Sequence, residues 1–416
     1  MSILKPFKGF RPNPEYADKV ISKPYDVLNS QEAREEAKGN PYTFFHVNKP
    51  EIDLPLDVDI HSDAVYNKAK ENFEKFIKDG VFIQEDKKSF YVYAQTMNGA
   101  IQYGLVGGSG VQDYTDGIIK KHELTRPDKE KDRMNHVRVT NINAGPVFFT
   151  YRDNEKIDKI VEENTKNDPI YDITPDDGVR HQLWVIDDEN TVQEIETIFD
   201  KEIPYIYVAD GHHRTAAAAL VGAERKKNNP KHTGDEEYNY FLSVNFPASQ
   251  LKIIDYNRVV KDLNGNTTKE FIAKIEENFQ LEKIGNREYK PENLHSFGMY
   301  IDGNWYKLEA KEGIYKENDP IGVLDVTILT DKILDPVLNI KDLRRSDRIE
   351  FVGGIRGLGE LQKRVDNGEM KAAFALFPVS MKQLMDIADN DMIMPPKVTW
   401  FEPKLRSGMI VHSLEN

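Results

Sequence analysis

The stretch that most restricts the fold of this chain runs from Pro204 to Val221. Pro204-Tyr205-Ile206-Tyr207-Val208-Ala209 is a short apolar, β-branched and aromatic run of the kind that forms a buried strand. Asp210-Gly211-His212-His213 follows without a spacer, and Arg214-Thr215-Ala216-Ala217-Ala218-Ala219-Leu220-Val221 then has high helix propensity. A strand, a tight turn and a helix in direct succession is the unit from which α/β folds are built. It delivers the turn residues to the end of a sheet, where ligands bind in open α/β proteins.

The rest of the chain alternates in the same way. Ala69, Phe73, Phe76 and Ile77 recur at helical spacing and predict a helix over 63 to 79, closed by Gly80. Phe90 to Gln95 and Gln102 to Gly107 predict a hairpin around Asn98-Gly99. Residues 122 to 142 predict a charged helix, 147 to 151 a strand, 154 to 166 a helix, 182 to 186 a strand and 191 to 201 a helix. Phe241 to Val244 reads as a strand, as do Glu350 to Val352 and Ala372 to Phe377. A helix is expected over 357 to 366, and the tail from Met394 to Trp400 is expected to be an ordered loop. A length of 416 residues suits two domains, placed at 1–255 and 256–416, with a mixed α/β class throughout.

Composition narrows the function classes. The chain has no cysteine, which excludes disulfides, thiolate catalysis and cysteine-ligated metals. Asp and Glu total 70 against 56 Lys and Arg, and the resulting charge of −14 repels DNA and anionic membrane surfaces, so neither nucleic acid nor membrane is an expected partner. The first residues, Met1 to Pro6, carry no apolar leader, and no run approaches the ~18–20 apolar residues of a membrane span, so a cytoplasmic location is expected.

The Asp210 to Arg214 turn is the first candidate for chemistry. The first turn of a helix has unpaired N–H groups and a partial positive charge, and phosphate binds there. Gly211 allows close approach of a ligand to the backbone, and His212, His213 and Arg214 add donors and charge. A plain aspartate cap with exposed histidines would not need the His-His-Arg run. Zinc is not expected, because adjacent histidines on a helix diverge by about 100° and His122-Glu123-Leu124-Thr125-Arg126 lacks the second histidine of a zinc-protease helix. The segment from His122 to Arg138 is the second candidate. It sets Glu123 among His122, Thr125, Arg126, Lys129, Lys131, Arg133 and Arg138, which suits a general base beside bound phosphates as well as a solvated, salt-bridged helix. Asp26, in the extended Lys23-Pro24-Tyr25-Asp26, serves equally as a turn residue or a site residue. Gly353 to Gly359 between a strand and a helix is a further anion cradle or a structural turn. Lys397, Thr399 and Lys404 are placed to close over a polyanion or to sit in solvent. The phosphate loop G-x-x-x-x-G-K-[ST], the G-x-S-x-G elbow and the protein-kinase motifs are absent.

Six motifs in order carry a resemblance: Lys5-Pro6-Phe7, Lys23-Pro24-Tyr25-Asp26-Val27, His122-Glu123-Leu124-Thr125, Asp132-Arg133, Ala209-Asp210-Gly211-His212-His213-Arg214 and Met394-Pro395-Pro396-Lys397-Val398-Thr399. Together they resemble domain-of-unknown-function family 1015. The Asp-Gly-His-His-Arg box in turn resembles that of the free serine kinases of the ParB/sulfiredoxin-like superfamily. This resemblance implies a ParB/sulfiredoxin-like core with additional N-terminal and C-terminal α/β regions, and transfer of a phosphoryl group from ATP, ADP or pyrophosphate with Mg²⁺ to the hydroxyl of free L-serine. It implies Glu123 as the base with Asp26 in reserve, and Asp210 and His213 as its catalytic companions. Gly211, His212, Arg214, His122, Thr125, Arg133, Asp26, Lys397 and Thr399 would bind substrate and phosphate. The other functions open to such an anion site are a nucleotide- or phosphate-binding regulator and a phosphatase or nuclease.

Overall fold

The computed structural model describes residues 1–415 and is mixed α/β. Its contacts divide the chain into two units, Met1–Leu251 with Pro403–Asn416, and Lys252–Glu402. The boundary expected at 255/256 thus falls at 251/252. The tail expected in the second domain belongs to the first, because its polar groups bond to the first unit's sheet.

The first unit is built on a nine-stranded sheet. In chain order its elements are β1 (Leu4–Lys5), helix α1 (Asp63–Lys78), β2 (Phe90–Met97), β3 (Ala100–Gly110), β4 (Ile119–Lys120), α2 (Pro127–Thr140), β5 (Val147–Tyr151), α3 (Glu155–Asn164), β6 (Tyr171–Ile173), β7 (Arg180–Ile186), α4 (Glu189–Glu202), β8 (Ile206–Asp210), α5 (His212–Asn228) and β9 (Tyr240–Pro247). The strand order is β4-β8-β5-β9-β3-β2-β7-β6, with β1 on β3. β8 runs parallel to β4 and β9 parallel to β5, while the other pairs are antiparallel.

Side-chain alternation divides the sheet into two faces. Phe90, Val92 and Ala94 of β2, Val147, Phe149 and Tyr151 of β5, and Ile206 and Val208 of β8 pack with Ile157, Ile160 and Val161 of α3 and Val192, Ile195, Ile198 and Phe199 of α4. Tyr91, Tyr93 and Gln95 of β2 have the opposite parity. On that side Gln95 Nε2 donates to the Lys404 carbonyl (3.0 Å) and Tyr93 Oη accepts the Arg406 amide (3.2 Å). The tail therefore covers a polar face whose groups need partners once buried. No helix is long and apolar enough to cross a membrane among the described residues.

Local rules explain most elements and two shifts. α1 buries Val65, Tyr66, Ala69, Phe73 and Phe76 at helical spacing and ends at Gly80, whose φ of +73° suits glycine. The helix expected from residue 122 starts at Pro127, with Arg126 extended, since a residue before proline avoids the α region and proline favours the first helical position. α5 begins at His212, two residues before the alanine run, because Gly211 adopts the left-handed conformation (φ +93°) and turns the chain directly out of β8.

The second unit carries a six-stranded antiparallel sheet. Its strands are β10 (Tyr256–Val260), β11 (Phe279–Gly285), β12 (Ser296–Ile301), β13 (Asn304–Ala310), β14 (Ile349–Gly353) and β15 (Ala372–Leu376), in the order β11-β13-β12-β15-β10-β14. The glycine turn after β14 is structural. A Cβ on Gly354 would lie 2.4 Å from the Asp255 carboxylate, so an acid fills the space where an anion would sit. Residues 400 and 401, at the end of the expected loop, pair as a short strand with Ile253–Ile254.

Gly222 of α5 tests the packing behind the turn. A Cβ there would meet the Tyr238 carbonyl at 2.5 Å and Val111 Cγ2 at 2.7 Å. Gly222→Ala gains up to about 1 kcal/mol of helix propensity. Overpacking costs roughly 1–3 kcal/mol, more where backbone must move. We expect a net loss, read as a lower urea midpoint; an unchanged or raised midpoint would show that the helix can slide on its support.

Candidate active site

Three segments reach one edge of the first sheet for topological reasons. β8 ends at Asp210. β4 is parallel to it, with Ile206 opposite Ile119, so the chain leaving β4 brings His122 to the same end. β5 is antiparallel to β8, so its approach, Gly145-Pro146, arrives there too. A bulge between Val208 and Asp210 re-aims the last residue of β8.

Asp210 organises this end. Its Oδ1 accepts the Gly211 amide (2.9 Å) and its Oδ2 the Lys404 ammonium (2.9 Å). Burial alone would raise its carboxyl, but the charges of Lys404 and Arg214 outweigh that and hold it below the ordinary carboxylate range. Asp210 is therefore ionised at neutral pH. No side chain caps α5, so its first-turn amides keep the character of an anion site.

Arg214 has an open donor. Its Nη1 donates to the Pro146 carbonyl (2.6 Å), while its buried Nε has no hydrogen-bond partner. The guanidinium lies close beneath Gly211, where a Cβ would be 3.3 Å from Nε and Nη2. Any other residue at 211 would meet both this contact and the positive φ.

The histidines add donors without charge. His122 and His212 are buried, their rings edge to face at 4.6 Å between centroids. Burial lowers His122 to about 4 despite the nearby Asp210 carboxylate and a bond to the Val208 backbone. Burial, with His122 as its next cause, pushes His212 well below the ordinary value. The expectation that His212 adds charge at the turn is thus corrected. His213 Nε2 accepts the Arg126 amide (3.0 Å), so that nitrogen carries no proton and the ring pins the His122–Arg126 segment to α5.

The remaining expected residues divide. Glu123 is half-buried in the non-helical segment directly after His122. Thr125 Oγ1 donates to Glu130 (2.9 Å) and braces the start of α2. Arg133 pairs with Asp132 (2.6 Å) and lies over the Tyr25 ring at 4.0 Å, and Arg133, Tyr25 and Arg214 line one small cavity. Asp26 is exposed in the turn beside Tyr25. Lys397 and Thr399 belong to the second unit, where the Lys397 carbonyl accepts from Arg258 (2.8 Å) and its ammonium lies 5.8 Å from the Tyr256 ring centre. Sequence reasoning missed Tyr25, the Pro146 carbonyl and Gln95; only Tyr25, beside Asp26 in the extended Lys23–Val27 segment, offered a signal. No group of three His, Asp or Glu residues is placed to hold a metal ion among the described residues.

Comparison with known proteins gives one family and several distant folds. The model of DUF1015, a protein family of unknown function, matches residues 4–327. No curated protein matches. The solved structures similar to this chain include a free serine kinase in complex with AMP (12% identity, 72% of this chain and 86% of that chain, TM-score 0.35). They also include SbnI with a C-terminal truncation from Staphylococcus aureus (9% identity, 74% and 87%, TM-score 0.40) and a conserved hypothetical protein from Pyrococcus furiosus (12%, 75% and 95%, TM-score 0.35). Likeness at this level carries no argument about activity.

The buried histidines make stability pH-dependent. Unfolded, His122 titrates near 6.5; folded, near 4. Between those values the unfolded chain binds more protons, so His122's contribution is fully present above about pH 6.5 and falls by roughly 3 kcal/mol as pH drops to 4. The urea midpoint should therefore fall between pH 7 and 5, and His122→Gln should flatten the slope. An equally steep slope in the variant would mean that other groups control it.

Proposed function

The chain belongs to the DUF1015 family, and from the site at the end of β8 we propose that it is a phosphotransferase that phosphorylates the hydroxyl of free L-serine from a nucleotide or pyrophosphate donor. The observation that carries this reading is the Arg214 guanidinium. Its Nη1 bonds the Pro146 carbonyl, its buried Nε has no hydrogen-bond partner among the described residues, and it lies beside an uncapped helix N-terminus. A guanidinium with an open, buried donor in such a place gains from an anion that can accept from it. Lys404, Arg214 and the amides of His212 to Arg214 supply donors for the oxygens of a phosphoryl group in transfer, a reaction that depends chiefly on positioning and charge neutralisation. The choice of serine as acceptor rests on the resemblance of the Asp-Gly-His-His-Arg box.

In this mechanism the donor's phosphates lie on the first turn of α5. The serine Oγ attacks the terminal phosphorus, its proton passes to the Glu123 carboxylate, and the donor leaves with the electron pair of the broken P–O bond. Asp210 keeps Gly211 and Lys404 in place and does not itself exchange a proton, because both its oxygens serve protein donors and its carboxyl is held low. For the same reason Asp210 does not fit a resident Mg²⁺. The donor enters as its magnesium complex, and no step runs through a protein-bound metal.

Phosphorus NMR of the chain with L-serine and, in turn, the magnesium complexes of ATP, ADP and pyrophosphate should give phosphoserine with at least one donor. Glu123→Gln should lower turnover by about 10²-fold or more while donor binding survives. Lys404→Met should weaken donor binding instead. Absence of phosphoserine with every donor would refute the kinase reading and favour a nucleotide- or phosphate-binding regulator; phosphate release without serine would favour a phosphatase.

A further inference from the structure

We propose that the small cavity between Tyr25, Arg133 and Arg214 is the seat of a carboxylate, and that it restricts the acceptor to small amino acids with a free carboxyl group. The inference rests on the phosphotransfer reading for the word acceptor, though the cavity's chemistry stands without it.

The cavity measures about 40 Å³, and its polar lining includes Tyr25, Asn48, Arg133, Arg214 and Ser407 beside His136 and Asn143. That space admits a few heavy atoms and no complete nucleotide. Two guanidiniums face it, and their states differ. Arg133 is already compensated by Asp132 and stacked on Tyr25. Arg214 is not, since its Nε is buried and without a partner. A planar, two-oxygen anion matches a guanidinium fork, and a charge-assisted bond would satisfy the open donor. On the same cavity Asn48 is 5% exposed and its Oδ1 also has no partner. An open acceptor and an open donor around one cavity fit a ligand carrying both a cationic donor and an anionic acceptor, as the zwitterionic end of an amino acid does. A bare phosphate would satisfy Arg214 and leave Asn48 Oδ1 unmet.

Arg214 also links the two functions. It follows Gly211-His212-His213 at the donor's helix end and lines this cavity, so a carboxylate held here would place the adjoining hydroxyl near the transferring phosphate. Gly145 keeps the space open. A Cβ there would lie 3.2 Å from Ser407 Oγ and 3.5 Å from Arg214 Nη1, both groups of the cavity wall.

The test is calorimetry on the full chain without donor, titrating L-serine and L-serinamide, which differ in the carboxylate alone. The wild type should bind serine, with serinamide weaker by about 10-fold to 100-fold. Gly145→Ala, which puts a methyl group into the cavity and needs no unusual backbone angle, should weaken serine by at least about tenfold while the melting temperature is retained. Equal binding of serine and serinamide, binding of neither, or unchanged serine affinity in Gly145→Ala would overturn the proposal and leave a cavity filled by solvent. Turnover in the same samples separates the two readings. Phosphorylation of serinamide as fast as serine would keep the phosphotransferase and reject the carboxylate seat. Carboxylate-dependent serine binding without turnover with any donor would keep the seat and reject the kinase.

Discussion

The ion pair between Asp210 and Lys404 joins the last residue of β8 to a tail nearly two hundred positions away, and the arrangement of the site follows from it. Asp210 fixes the Gly211 amide with one oxygen and Lys404 with the other. Lys404 is itself held through its carbonyl by Gln95 of β2. Two residues on, Arg406 donates to His181 Nε2 and pairs with Asp177, while its amide donates to Tyr93. Because arginine can only donate, His181 Nε2 is an acceptor and its Nδ1 proton faces Tyr93 Oη at 2.7 Å. Burial and the Arg406 charge lower His181 to about 3, which keeps that tautomer neutral over the working pH range. The tail is thus fixed in register by buried, directional bonds, and the lysine is delivered with it.

The charge balance at the site is simple once the histidines are counted as neutral. Asp210 bonds Lys404 and Asp132 bonds Arg133, while Arg214 bonds only the neutral Pro146 carbonyl. Asp132 is itself engaged by Tyr66 and His61, and burial, together with the bond to Asp132, raises the Tyr66 phenol to about 12. The Arg214 guanidinium beside an uncapped helix N-terminus forms a local anion site in a chain whose total charge is −14. The overall acidity excludes nonspecific polyanions, and the local excess admits a specific one.

Much of this was legible in the sequence because it is local. The strand, turn and helix around Gly211 follow from apolar run length, the glycine and alanine propensity, and the hairpin at Asn98-Gly99 follows from turn chemistry. Local rules were also sufficient to place α2 correctly, since Pro127 marks its first turn; the expected start at 122 gave the charged run more weight than the proline. What could not be read is non-local. Lys404 looked like Lys397, a tail lysine near prolines, and only the fold separates them into different units. In the sequence Asp26 offers a charge and Tyr25 offers none, yet in the fold the Tyr25 ring supports Arg133 and the Asp26 carboxylate is exposed.

An aspartate beside a proposed phosphate seat calls for a physical reason, because a carboxylate there repels the ligand. A neutral residue at 210 would remove the repulsion but also the acceptor that fixes the Gly211 amide, leaving the left-handed turn to hold itself. Lys404 resolves the conflict. Its ammonium cancels the carboxylate's field at the distance of a ligand while leaving the short-range bond to Gly211 intact, since a salt bridge is a dipole when seen from outside and its field falls off faster than that of a single charge. Asp210 can then shape the turn without repelling the ligand, and the net charge offered to an anion is that of Arg214, with Lys404 and the helix N-terminus supplying further donors. The order of the box follows from this division of labour: the acid that shapes the turn precedes the glycine, and the cation that meets the ligand comes three residues into the helix, where its side chain reaches back beneath the turn.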